Sequence, residues 1–286
     1  MPADLHCHSR MSDGSLGIED LISLAKRSGM SAIAITDHDT MSGTVRAGVL
    51  CARYGIIHLP AVEMSGFDPK RKRKVHLLCY LPEKPNRLEG ILYKSNEARK
   101  KSGIEMARLV MEKFPILPEH ITKYAAGSKA VYKQHIMHAL MDFGYTDAIF
   151  SDLYKELFDE DAGSCHVETP YPQMTDIAKM IRLAGGLCVL AHPKVFDSLE
   201  AAEELAKAGL LDGIEAWSPK NGEQFTSDSL SLCNSYGLIP TGGSDFHGLY
   251  NSAQAPLGSF TTPEDSLAAL FAKKGLPLPT PEAEEA

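Results

Sequence analysis

The chain has 286 residues, 44% hydrophobic and 23% charged, with a formal net charge of -8; its mean hydropathy of -0.15 is that of an ordinary globular protein, with enough chain for one large core or two moderate ones. The acidic balance argues against a broad, non-specific nucleic-acid surface, and no apolar run is long enough to span a bilayer. The six cysteines form no CxxC pair and read as buried free thiols.

The N-terminus enters Asp4 and His6 without the basic and apolar regions of a secretory leader, so a cytoplasmic location is expected. The first candidate strand, roughly 2–7, runs through Asp4-Leu5-His6-Cys7 into His8, with Asp13-Gly14 just behind. Alternate residues of a strand share a face, so His6 and His8 project together. Two imidazoles and a nearby carboxylate begin a metal site, although Ser12-Asp13-Gly14 also reads as an ordinary turn. A helix is expected over 18–28, closed by Gly29.

The second strand, 31–36, leads into Thr36-Asp37-His38-Asp39. Asp39 or Thr40 can cap the helix expected over 42–54, while His38 binds metal and Asp37 orients an imidazole from behind. The run 56–62 delivers Glu63, a carboxylate that is costly to bury unless paired or metal-bound; its two oxygens suit a bridge between ions. The fourth strand, 74–80, carries His76 after the basic run 70–74. That run reads as a solvated loop, or alternatively as a collector of anionic substrate.

From about 83 to 166 no convincing strand occurs. One long helix over 89–114 and shorter ones over 118–125, 130–143 and 151–158 fill the stretch. His135 and His138 share a helix face. They read as surface residues, or else Lys133 and His135 reach over the site to hold phosphate. Strands resume at 187–191, 212–216 and 238–242, with helices at 175–184, 199–208 and 224–236, each closed by glycine. His192 follows the first of these strands. Asp245 and His247 follow the last, behind Gly242-Gly243, which let the backbone come close. The Pro- and Glu-rich tail, 277–286, is expected to be disordered.

Strand, helix, glycine, strand is the βα rhythm, and the polar candidates gather near strand ends, where α/β barrels place their chemistry. Six histidines and three acids exceed the needs of one four-coordinate ion. Two or three ions is the economical reading, and paired ions suit phosphate-ester hydrolysis. Imidazole and carboxylate donors serve Mn, Zn or Fe alike. No P-loop and no Gly-x-Ser-x-Gly element is present, which sets aside NTP-driven and serine-hydrolase chemistry.

The pattern His6-x-His8, Ser12-Asp13-Gly14, Thr36-Asp37-His38-Asp39, Glu63, His76, His192-Pro193 and Asp245-x-His247 closely resembles the PHP (polymerase and histidinol phosphatase) family. The resemblance covers most of the chain outside the helical stretch. It implies a distorted seven-stranded β/α barrel over 1–82 and 167–276, with an inserted all-helical subdomain at 83–166. It also implies two or three divalent ions. His6, His8, Glu63 and Asp245 would hold one, Glu63, His76 and His192 a second, and Asp13, His38 and His247 a third, with Glu63, Asp245 and His247 carrying catalysis.

Relatives often carry an Arg-Pro-His element in the insertion that meets the phosphate. Lys133-Gln134-His135 stands in its place here, keeping the histidine alone, which leaves the substrate open. The expected reaction is hydrolysis of a small phosphomonoester or nucleotide bisphosphate by metal-activated hydroxide, without a covalent intermediate. A phosphodiesterase acting on a cyclic diester or short oligonucleotide is the runner-up; a non-phosphate metal hydrolase or a non-catalytic metal-binding protein comes last. The expected partner is a small phosphorylated substrate, nucleotides included, with no membrane, no stable duplex nucleic acid and no obligate protein partner.

Overall fold

The computed structural model describes residues 1–252 and 254–280. β1 (Ala3–Cys7) is buried throughout and lies parallel to β2 (Ala32–Ile35), which pairs in parallel with β3 (Ile57–His58). α1 (Ile18–Arg27) connects the first pair and α2 (Thr44–Tyr54) the second. α1 turns Ile18, Leu21, Ile22 and Ala25 inward at helical spacing, against Ile33, Ala47 and Cys51.

Pro60 then divides the apolar run 56–62, because it has no amide with which to continue a ladder. The chain restarts as β4 (Ala61–Asp68), which forms an antiparallel hairpin with β5 (Arg73–Tyr80). β5 pairs antiparallel with β6 (Leu187–Leu190), and β7 (Gly213–Trp217) and β8 (Ile239–Gly242) continue in parallel.

The expected closed barrel of seven strands is not formed. The strands make a three-stranded sheet, β1-β2-β3, and a five-stranded sheet, β4-β5-β6-β7-β8. Among the described residues their backbones meet in isolated bridges rather than a ladder, among them His38 to Glu63 on one side and Cys7 to Phe246 on the other. At both seams side chains take the amides that a ladder would use. Asp4 accepts from the backbone N–H of His6, Ser244 and Gly258, and Asp39 from that of Ser65. The antiparallel hairpin also departs from the parallel βα repeat on which barrel closure depends. The sheets nevertheless share one core, in which Leu5, Ala34 and Leu59 pack with Leu78, Tyr80 and Val189.

α7 (Met174–Leu183), α8 (Leu199–Lys207) and α9 (Gly222–Tyr236) precede β6, β7 and β8 respectively, and α10 (Glu264–Lys273) follows β8. Between β5 and α7 the chain forms α3 (Glu89–Lys113), α4 (Pro118–Thr122), α5 (Lys133–Asp142) and α6 (Asp152–Phe158). Their apolar faces build a separate cluster around Val110, Ile136, Leu140, Leu157 and Phe158, which Tyr250 joins from the sheet side. All six cysteines are buried and free. Among the described residues no helix is long and apolar enough to cross a membrane. Of the tail expected to be disordered, the part from Pro281 lies outside the described residues.

Candidate metal centre

β1 turns Leu5 and Cys7 into the core and presents His6 and His8 together, both fully buried. Glu63 on β4 is their meeting point. Its Oε2 lies 3.4 Å from His6 Nε2, 3.2 Å from His8 Nε2 and 3.0 Å from His38 Nδ1. Its Oε1 lies 2.8 Å from His76 Nδ1 and 2.9 Å from His192 Nε2. One carboxylate thus faces two groups of imidazoles with two different oxygens. Asp245 Oδ1 is 3.5 Å from His6 Nε2 and 3.3 Å from His8 Nε2. Asp13 reaches His8 at 3.5 Å, His247 at 3.4 Å and His38 at 3.8 Å.

All nine donors singled out in the sequence fall into four interlocking groups, within each of which the ligand atoms lie within 4.8 Å of one another. These are His8, Asp13, His38 and His247; His6, Glu63 and His192; His6, His8 and Asp245; and His38, Glu63 and His76. The partition implied by the family resemblance differs in detail, since here His38 belongs to two groups and His8 joins Asp13.

The donor set fits metal ions. Among the described residues, His6 Nε2, the ring nitrogens of His8, Asp13 Oδ1 and His38 Nδ1 are buried without a hydrogen-bond partner of good geometry. That condition is costly, and coordination would relieve it.

Electrostatics keep the carboxylates ionised. Burial raises the Glu63 carboxyl, but His38, His76 and His6 outweigh it and hold the group well below its usual range. Asp13 and Asp245, equally buried, are held down by His247 with His38 and by Lys220 with His6 respectively. Burial opposes a charge on His8, while Asp245 and Glu63 carry it up to about 10. Burial pushes His38 well down.

The backbone bends sharply to achieve this convergence. Asp39, His192 and Asp245 hold positive φ values of 54°, 24° and 48°, a strained region for residues with a Cβ. Two glycines admit close approach: a Cβ on Gly243 would stand 2.4 Å from His6 Cβ, and one on Gly14 would stand 2.2 Å from the His8 carbonyl oxygen.

Three supporting residues escaped the sequence reading. Glu215 on β7 accepts from His6 Nδ1 at 2.8 Å and from the His192 amide at 2.7 Å. A lone acid in an apolar strand was its signal, the same one that exposed Glu63. Lys220 pairs with Asp245 Oδ2, in a stretch that does not announce it, and Gln134 Nε2 donates to Asp13 Oδ2 at 3.2 Å, within the Lys133-Gln134-His135 stretch from which only its neighbours were singled out. Among the described residues no imidazole is hydrogen-bonded to Asp37. Its carboxylate accepts from Ser9 N–H and from the Ser9 and Ser12 hydroxyls at 2.8, 2.6 and 2.6 Å, tying down the loop that carries Asp13.

Lys133 and His135 part company. His135 is fully buried, its Nδ1 accepts from the Tyr132 amide at 3.2 Å, and its ring lies against Tyr132 and Tyr250. Lys133 lines a recess beside the donors, its Nζ donating to the Phe158 carbonyl at 3.0 Å. The basic run is largely neutralised: Lys70 pairs with Glu204, Arg71 with Asp68, Glu200 and Glu204, Arg73 with Asp197 and Lys74 with Glu160.

The donors floor a cavity of about 260 Å³ whose walls include Lys220, Gln134, Phe150, Tyr154, Phe196 and Tyr250. A buried imidazole and carboxylate cluster around one shared glutamate, open to a space for a small ligand, defines a metal-dependent hydrolase. Residues 4–173 match the PHP domain model, and the chain belongs to the PHP family, in its metal-dependent phosphoesterase branch.

The chain is 34% identical over 252 residues to the phosphoribosyl 1,2-cyclic phosphate 1,2-diphosphodiesterase of Eggerthella lenta, covering 87% of this chain and 95% of that protein. It is 27% identical to the 3′,5′-nucleoside bisphosphate phosphatase of Chromobacterium violaceum, over 85% of this chain and 86% of that protein. The fold matches a crystal structure from Bifidobacterium adolescentis, assigned by inference as a metal-dependent phosphoesterase. The TM-score is 0.86 at 25% identity, over 95% of this chain and 96% of that one. The reaction is metal-dependent hydrolysis of a small phosphate-containing substrate.

Proposed function

We propose that the chain hydrolyses a phosphate ester on a small phosphorylated sugar or nucleotide, a cyclic phosphodiester first and a bisphosphate monoester second. The observation that carries this reading is Glu63, faced by five imidazoles on its two oxygens at the floor of a cavity that also holds Lys220. The sequence alone puts the monoester first. The higher identity to the cyclic phosphodiesterase, 34% against 27%, favours the reverse order.

We assign the nine donors as ligands of two or three ions, with Glu63 shared; Mn, Zn and Fe all suit them. Bound there, divalent cations would activate water and neutralise charge on the phosphoryl group. The chain's own residues orient and balance. Glu215 fixes His6 with Nε2 toward the cavity, and Asp245 Oδ1, 3.5 Å from His247 Nδ1, can accept the proton of the attacking water. Lys220 can donate to a phosphoryl oxygen from the wall. Phe150, Tyr154, Phe196 and Tyr250 shape the leaving-group side. In this reading residues 83–166 cap a site built on 1–82 and 167–276.

The test is phosphorus NMR of the Mn-loaded protein with nucleoside 2′,3′-cyclic phosphates, ribose 1,2-cyclic phosphates, 3′,5′-bisphosphates and simple monophosphates. Ring opening to a monoester supports the first substrate class, and inorganic phosphate from a bisphosphate supports the second. Activity on either must disappear in Glu63→Ala. No conversion by metal-loaded protein would sink both.

A further inference from the structure

We propose that the recess beside the metal cavity is a second anion subsite, which holds a non-reacting phosphate of the substrate through Lys133, Lys74 and His166. The proposal rests on the reading above that the substrate is a small phosphate ester, and it names that substrate as one carrying two phosphate groups.

The recess has a volume of about 190 Å³ and shares Asp13, His76, Gln134, Tyr154 and Phe196 with the metal cavity, so one small molecule can occupy both. Their chemistry differs. The metal cavity is lined by seven of the nine donors and a single lysine, Lys220, whereas the recess is walled by Lys133, Lys74, Arg99 and His166, with Glu160 and the shared Asp13 as its acids.

Lys133 is the decisive residue. Its Nζ has one hydrogen bond, to the neutral Phe158 carbonyl, and among the described residues no carboxylate pairs with it. Burial and the neighbouring Lys74 push its pKa down to about 8. Lys133 is half-buried, and Glu160 and Asp159 act on it only from beyond ion-pair distance; a phosphate supplies a direct counter-charge together with acceptors for the two remaining N–H groups. His166 Nδ1 is likewise buried without a partner. Arg99 is already held by Asp39 at 2.9 Å and Ser65 at 2.6 Å, over the rings of Tyr132 and Tyr171, and adds fixed positive field. The opposing charges are Asp13, which is turned to His8, His38 and His247, and Glu160, which pairs with Lys74. Its side chain is 59% exposed, so it is free to swing into solvent when an anion arrives.

This placement gives Lys133 a role different from contact with the reacting phosphate. It would set which esters are chosen.

The experiment compares adenosine 3′,5′-bisphosphate with adenosine 3′-monophosphate on the Mn-loaded protein, as wild type, K133M, K133R and K74M. The expected result is a preference in kcat/KM of about tenfold or more for the bisphosphate. In K133M that preference falls close to one, mainly through KM; K74M lowers it in part, and K133R keeps most of it. A wild type without preference, or a K133M protein with the wild-type ratio, overturns the subsite. Should neither compound be hydrolysed, the catalytic reading has failed on these substrates, and calorimetric titration of the same two compounds decides the subsite. Tighter binding of the bisphosphate that is lost in K133M upholds it, and equal binding overturns it.

Discussion

A buried imidazole turns one nitrogen toward an ion only if something holds the other, and at His6 that partner is Glu215. Because a carboxylate can only accept, the 2.8 Å contact puts the proton on His6 Nδ1 and leaves the Nε2 lone pair facing Glu63 and Asp245. The second oxygen of Glu215 accepts the amide of His192, a residue whose φ of 24° needs such support. In Glu215→Gln, one amide cannot accept from both. If its oxygen keeps the His192 N–H, its NH₂ meets His6 Nδ1 and drives the ring proton to Nε2, where it blocks coordination. The expected outcome is metal affinity about 10- to 100-fold weaker, as for other partners of ligating histidines. Metal content measured after dialysis against buffered Mn or Zn checks this; a variant retaining full content at wild-type affinity would refute the assignment of Glu215.

At the scale of elements, the legible parts were those set by local pattern. β1 and β2 announced themselves as short apolar runs ending in donors, and Glu63 as an acid too costly to bury unpaired. Glu215 was open to the same argument and was passed over. What local pattern could not supply was direction. Nothing in run 74–80 signals that β5 lies antiparallel to both β4 and β6, and that pairing, with the break at Pro60, leaves two sheets where a barrel was expected. The start of α5 shows the same limit. Both Lys133 and His135 looked free to reach the site, but the Tyr132 amide captures His135 Nδ1 and directs its ring into the helical core.

The approach of β8 to β1 yields a test at this scale. A Cβ on Gly243 would stand 2.6 Å from His6 N as well as 2.4 Å from His6 Cβ, so Gly243→Ala must part the two strands. Such overpacking costs about 1–3 kcal/mol. Because Asp245 and His247 follow within four residues, the shift also pulls them from His6 and His8. Gly90→Ala, on α3 with open space around it, is the matched control and should be neutral or slightly stabilising. Melting and metal content together decide the matter: if Gly243→Ala matches Gly90→Ala in both, the tight seam is not where the structure places it.

For the molecule as a whole, the centre lies across the gap between the sheets. His6 comes from β1, His8 and His38 follow β1 and β2, and Glu63, His76, His192 and Asp245 belong to or follow strands of the other sheet. Where one ladder fails to continue into the next, ligand bonds would supply the missing connection. Metal should therefore stabilise the seams more than the interior of either sheet. Each ion held at a concentration 100-fold above its Kd contributes about 2.7 kcal/mol, which for a domain of this size raises Tm by roughly 4–5 °C. Chelation should lower Tm accordingly, and readdition of Mn or Zn should restore it. Hydrogen exchange gives the sharper criterion. The amides of Asp39, Glu63 and His8 bridge the seams, bonded to Glu63, Thr36 and Phe246 carbonyls at 2.8, 3.1 and 2.8 Å. They should lose protection on chelation well before the β4–β5 ladder amides do. A uniform loss across both sheets would mean that the ions stabilise the fold only globally, and that the seams hold through the shared core around Leu5, Leu78 and Tyr80 instead.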